Sequence, residues 1–127
     1  MSKSDKTKTI FITRKVPEVA FQLLHEEGFI IDLWDKEKPP TQEELIKKCQ
    51  HADALLSMLS DQLNEDFFKA CSHLKVIANY AVGVNNIDLE AATRSHIPVG
   101  NTPDVLTEAT SDLTLSLILT LARNILP

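Results

Sequence analysis

The loop Ala81-Val82-Gly83-Val84 is where the residue types of this 127-residue chain best suit chemistry. Gly83 is one of only three glycines, and it lies between an apolar strand-like run and a helical one. Small residues at such a turn let backbone N–H groups approach a ligand closely, and consecutive N–H groups can form a concave nest for an anion. A simple turn would also use a glycine here, so the loop alone leaves both readings open. Three further loops lie beyond expected strand ends, where open α/β sheets bind ligands. They are Arg14-Lys15-Val16, Asp35 to Pro40, and Ser60-Asp61-Gln62.

Other chemistry is poorly supported. No glycine follows the first strand, as a flavodoxin-type phosphate loop needs, and no acidic pair stands there, as a receiver domain needs. Gly28, Gly83 and Gly100 are too far apart for the dinucleotide fingerprint G-x-G-x-x-G. His25, His51, His73 and His96 fall on or at the ends of helical segments without metal-ligand spacing, so no metal site and no catalytic histidine are expected. Cys49 and Cys71 sit among apolar neighbours and read as buried, reduced thiols.

The loops need a scaffold, and the pattern supplies one. Strand-like runs at Thr9 to Thr13, Phe29 to Trp34, Ala54 to Leu59, Leu74 to Asn79 and Ile97 to Val99 alternate with amphipathic helical runs. Pro17 opens the first helix and Gly28 ends it. Thr41 with Glu44 fits a capping box, and Asn64 and Asp88 can cap the next two helices. Pro98 places the last strand at an edge. A long helix is expected from about Asp104 to Ile125, after the start signal Thr102-Pro103-Asp104. The fold class is therefore α/β: a flavodoxin-like, doubly wound, five-stranded parallel sheet of order 2-1-3-4-5 with helices on both faces.

Composition fits that scaffold. The chain is 43% hydrophobic and 24% charged, which is ordinary for a soluble globular protein and argues against disorder. A net charge of −5 with no cationic face disfavours a nucleic-acid partner. The polar start lacks the apolar core of a secretory signal, and the apolar stretch Leu113 to Ala122 falls short of the roughly 20 residues of a membrane span. A cytoplasmic location without membrane association is the expectation.

Longer motifs give the loop a context. Leu74-Lys75-Val76-Ile77-Ala78-Asn79-Tyr80-Ala81-Val82-Gly83-Val84-Asn85-Asn86-Ile87-Asp88 resembles the substrate-domain motif of the D-isomer-specific 2-hydroxyacid dehydrogenases. Ile97 to Leu113 and Leu117 to Arg123 resemble the same family, and the wording is most similar to its glyoxylate and hydroxypyruvate reductase branch. The resemblance implies a two-domain enzyme that moves a hydride between the nicotinamide of NAD or NADP and C2 of a small 2-oxo or 2-hydroxy acid. It implies that the Val82 and Gly83 N–H groups bind the substrate carboxylate, that Leu59 and Ser60 line the same pocket, and that Val105 and Thr107 lie near the nicotinamide.

In the family, the glycine-rich fingerprint, the substrate-clamping arginine and the glutamate–histidine pair follow the point where this sequence stops, Pro127. The expectation is a truncated substrate-binding half, without catalytic residues or bound cofactor, whose partner is the Rossmann domain. Residues 1–103 would form the substrate domain. Residues 104–127 would form the helix that crosses toward the cofactor domain, here packed back on its own domain or swapped. That helix is apolar around most of its circumference, which predicts a homodimer. The sequence does not choose between NAD and NADP. A stand-alone binding module, or an engineered fragment without catalysis, is the alternative.

Overall fold

Short, mostly apolar runs build the strands here, and apolar residues with a helical period build the layers over them. The computed structural model describes residues 7–125. Five parallel strands, β1 (Thr9–Ile12), β2 (Ile30–Leu33), β3 (Ala54–Ser57), β4 (Val76–Asn79) and β5 (Val99–Gly100), stand in the order β2-β1-β3-β4-β5. Between them run α1 (Glu18–Glu26), α2 (Gln42–Cys49), α3 (Glu65–Ala70) and α4 (Leu89–Arg94), and α5 (Thr107–Ala122) follows β5. This is the expected strand order, with β5 at an edge.

Alternation along the strands divides the core in two. Phe11, Leu55 and Ile77 face α2, α3 and α4 and pack with Leu45, Phe67, Phe68 and Ala91. Phe67 and Phe68 meet edge to face, with ring centroids 5.4 Å apart. Ile10 and Ile12 face the other way, toward Phe21 and Leu24 of α1. α1 covers only the β2-β1-β3 side of that face. On β4, Val76 is 41% exposed and Ala78 is also open to solvent, as is Tyr80 just past the strand's end.

The expected helix starts are largely found. Thr41 and Glu44 form a capping box, and the Asn64 and Asp88 side chains accept from the backbone N–H groups of Phe67 and Ala91. Gly28 ends α1 with a φ of 78°, a left-handed conformation that costs glycine little.

The last helix corrects its expected bounds. It begins at Thr107, not Asp104, because Asp104 takes a left-handed φ of 64° and breaks the helical run. Leu106 is the N-cap, without a side-chain cap bond, and the helix ends at Ala122 rather than Ile125. It buries no residue, and Leu121 is 80% exposed. In the single chain it does not pack back on the sheet. Among the described residues no helix is long and apolar enough to cross a membrane.

Candidate functional site

Parallel pairing brings the loops after β3 and β4 together, because Ser57 stands in register with Asn79 at the strand ends. Both are buried. The Ser57 hydroxyl donates to Asn79 Oδ1 at 2.9 Å, and Asn79 Nδ2 donates to the Gly83 carbonyl at 3.0 Å and to Asn86 Oδ1 at 3.1 Å. Asn86 Nδ2 reaches back to the carbonyls of Met58 and Asp61 at 3.1 and 2.9 Å. Asp61 is itself buried, and its Oδ2 accepts the Thr13 hydroxyl and the Met58 N–H. Polar groups buried in this way hold one geometry when all are satisfied, and among the described residues no buried side-chain N or O atom lacks a partner.

A short backbone bridge between Leu63 and Ile87 reinforces the join, with Leu63 N–H donating to Asn86 O and Asp88 N–H to Leu63 O. The loop over residues 81–84 thus stands on a rigid base.

Its carbonyls are all held from within the domain. Ala81 O accepts the Thr102 N–H at 3.0 Å, Val82 O accepts Asn101 Nδ2 at 2.7 Å, and Gly83 O accepts Asn79 Nδ2. A peptide plane sets each carbonyl opposite the next residue's N–H. The Val82 and Gly83 N–H groups therefore turn away from Asn101 and Thr102. Among the described residues neither N–H has an internal acceptor. Val82 is 39% exposed and Gly83 half-buried, so two consecutive donors are presented outward, as an anion nest requires. Gly83 does not have a left-handed φ, and a Cβ placed on it would meet no atom of this chain within 4 Å. The chain's own packing does not demand a glycine there.

The other expected site residues are placed as follows. Leu59 and Ser60 are exposed on the loop that Asn86 ties to residues 81–84. A groove of about 600 Å³ runs between Val82 and the first turns of α5, lined by Leu106, Thr107, Thr110, Ser111, Thr114 and Leu115. Thr107 and Val82 thus share one groove. Val105 lies outside that lining and is 66% exposed. Ser111 and Thr114 hydroxyls donate to carbonyls one turn back in the helix, which leaves the groove wall mostly apolar.

The remaining chemistry-bearing side chains stay apart from the loop. All four histidines are exposed, and no cluster of metal-ligating groups occurs among the described residues. Cys49 and Cys71, distant in sequence, meet in the core, where hydrogen bonding to Cys71 and burial push the Cys49 thiol far above its ordinary range. Both thiols are free and buried, away from solvent.

The sequence profile of the D-isomer specific 2-hydroxyacid dehydrogenase catalytic domain matches residues 10–122. The chain belongs to this family. It is 47% identical over 116 residues to a glyoxylate reductase of Pyrococcus horikoshii, covering 91% of this chain and 34% of that protein. A glyoxylate reductase of Korarchaeum cryptofilum is 41% identical, with 91% and 35% covered. The crystal structure of TT0316 from Thermus thermophilus superposes with a TM-score of 0.82 at 38% identity, over 92% of this chain and 37% of that one. The NAD+-bound 3-phosphoglycerate dehydrogenase of Entamoeba histolytica gives 0.73 at 25% identity, over 90% and 39%. The chain thus spans about a third of the length of the curated family members it matches.

Sequence reasoning reached the loop and missed what holds it. Asn79, Asn86, Asp61, Thr13, Ser57 and Asn101 were not singled out as partners. One signal was available. Period two puts Asn79 on the same side as buried Ile77, so its amide had to find partners inside.

Proposed function

We propose that this chain is the substrate-anchoring part of an NAD(P)-dependent enzyme that interconverts 2-oxo acids and D-2-hydroxy acids, with glyoxylate or hydroxypyruvate as the substrate class. The observation that carries this is the pair of outward, unclaimed N–H groups of Val82 and Gly83, whose carbonyl sides are fixed by the domain. A carboxylate accepts two parallel N–H donors well, and a charged acceptor strengthens each bond. Leu59 and Ser60 flank the bound acid, and Val105 and Thr107 stand on its cofactor side. Residues 7–103 form the anchoring domain and α5 leads toward the cofactor domain. Membership of the family and the sequence identity to two glyoxylate reductases support this reading.

The residues of this chain do not fit a whole dinucleotide. The groove beside Val82 is apolar, and the three glycines are too dispersed for a phosphate-binding turn. No histidine reaches the loop to act as acid or base. Alone, the chain therefore binds the acid weakly and turns nothing over, and NAD(P) contact requires the Rossmann domain as partner. The same loop would serve a stand-alone binding module. Turnover in a protein that joins this chain to a cofactor domain separates the two.

The exposed apolar girdle of α5 supports a second copy as a further partner, a homodimer through that helix.

The test is an amide chemical-shift titration of the pure chain with glyoxylate. Saturable shifts centred on Val82 and Gly83 are expected, without NADH or NADPH oxidation. Shifts that avoid this loop would overturn the anchoring role. Measurable reductase turnover would overturn the claim that the chain is incomplete as a catalyst.

A further inference from the structure

We infer that Asn101 is a positioning residue for the anion loop, acting by locking the Val82–Gly83 peptide against rotation. The inference rests on the reading of this loop as a carboxylate anchor. The Val82–Gly83 peptide carries the Val82 carbonyl at one end and the Gly83 N–H at the other. Its carbonyl is held by Asn101 Nδ2 at 2.7 Å, the shortest of the four bonds to this loop's carbonyls.

The lock answers a local weakness. Rotating a peptide plane exchanges the direction of its C=O and N–H, and it needs the following residue to accept a positive φ. Any residue with a Cβ resists that; glycine does not. Gly83 is the following residue here, and a Cβ on it would meet nothing, so packing supplies no resistance either. A rotated plane would offer a carbonyl oxygen, not an N–H, to the substrate carboxylate. Binding would turn into repulsion at one of its two donors.

The neighbouring planes do not have this weakness. The Ala81–Val82 peptide precedes a residue with a side chain and is held through backbone by the Thr102 N–H. The Gly83–Val84 peptide precedes valine and is held by buried Asn79. Asn101 is exposed and makes one side-chain hydrogen bond, so the core does not need its amide. That separates positioning from a structural role.

The experiment uses Asn101→Ala, Gly83→Ala and the double variant of this chain, read by amide relaxation dispersion and by glyoxylate titration. Asn101→Ala is expected to melt like the parent but to show millisecond exchange confined to Val82, Gly83 and Val84. Its glyoxylate affinity should fall about three- to tenfold, the worth of one hydrogen bond. Adding Gly83→Ala should quench the exchange, because alanine resists the rotated state. Unchanged loop dynamics in Asn101→Ala, or exchange that Gly83→Ala fails to quench, would overturn the lock. Should the parent chain bind no glyoxylate, the anchoring role fails, while the relaxation data still decide whether Asn101 locks the peptide.

Discussion

Asn79 and Asn86 donate to each other: Asn79 Nδ2 to Asn86 Oδ1 at 3.1 Å, and Asn86 Nδ2 to Asn79 Oδ1 at 3.3 Å. The pair is buried where two strand-end loops converge, and its remaining bonds reach the backbone of both. Two loops that share no covalent neighbour are thereby held in one arrangement.

Removing Asn86 should therefore be felt in both loops. Asn86→Ala strands the Asp61 carbonyl, leaves the Met58 carbonyl with the Asp61 N–H alone, and takes one partner from Asn79. Leaving buried polar groups unsatisfied costs about 1–3 kcal/mol each, reduced where water enters the space left behind. A loss of about 2–3 kcal/mol in a urea melt is expected, with amide shifts at both Ser60 and Gly83. A change confined to one loop would show that the pair does not couple them.

The start of α2 carries a pH-dependent contribution. The backbone N–H of Thr41 and the ammonium of Lys36 hold the Glu44 carboxyl below its ordinary range. Because the folded value is depressed, its stabilisation is complete above the unfolded value of about 4.3 and is lost as pH falls through the folded one. Glu44→Gln should lower the urea midpoint slightly at neutral pH, and the gap from the parent should close below about pH 4. A gap that stays constant with pH would show that the carboxylate's charge is not what stabilises the cap.

How far could the sequence foresee this molecule? The strands and the caps at Thr41, Asn64 and Asp88 follow from local rules, since periodicity and capping act over a few residues, and the strand order follows from the doubly wound class that their alternation with helices indicates. The start of α5 did not, because Thr102-Pro103-Asp104 reads as a helix signal while Asp104 is held left-handed, and the helix waits for Thr107. The base of the site was hidden for a different reason. Asn86 and Asp61 lie in polar stretches that look like solvated turns, and only pairing of β3 with β4 buries them. Burial of a loop residue is a non-local fact. The loop at Gly83 could be found from its neighbours; the asparagines that aim it could not.

Self-association is the third expectation. Leu113, Leu117 and Leu121 are each more than half exposed on α5. Covering such a side chain fully contributes about 1.5–3 kcal/mol. Light scattering across the micromolar range should show a mass rising toward twice that of the chain. Leu117→Glu with Leu121→Glu should abolish the rise without altering the sheet's circular dichroism. A strictly monomeric parent chain would remove the homodimer from the reading.

The tie between Thr102 N–H and Ala81 O, with Asn101 beside it, has a mechanical meaning. α5 buries nothing of its own, so it projects as a lever, and the segment from Asn101 to Leu106 is its arm. The fulcrum is two hydrogen bonds on the loop that presents the N–H groups. The segment that leads into the helix is thus moored to the same loop that presents the N–H groups, so the two share one anchorage on the domain.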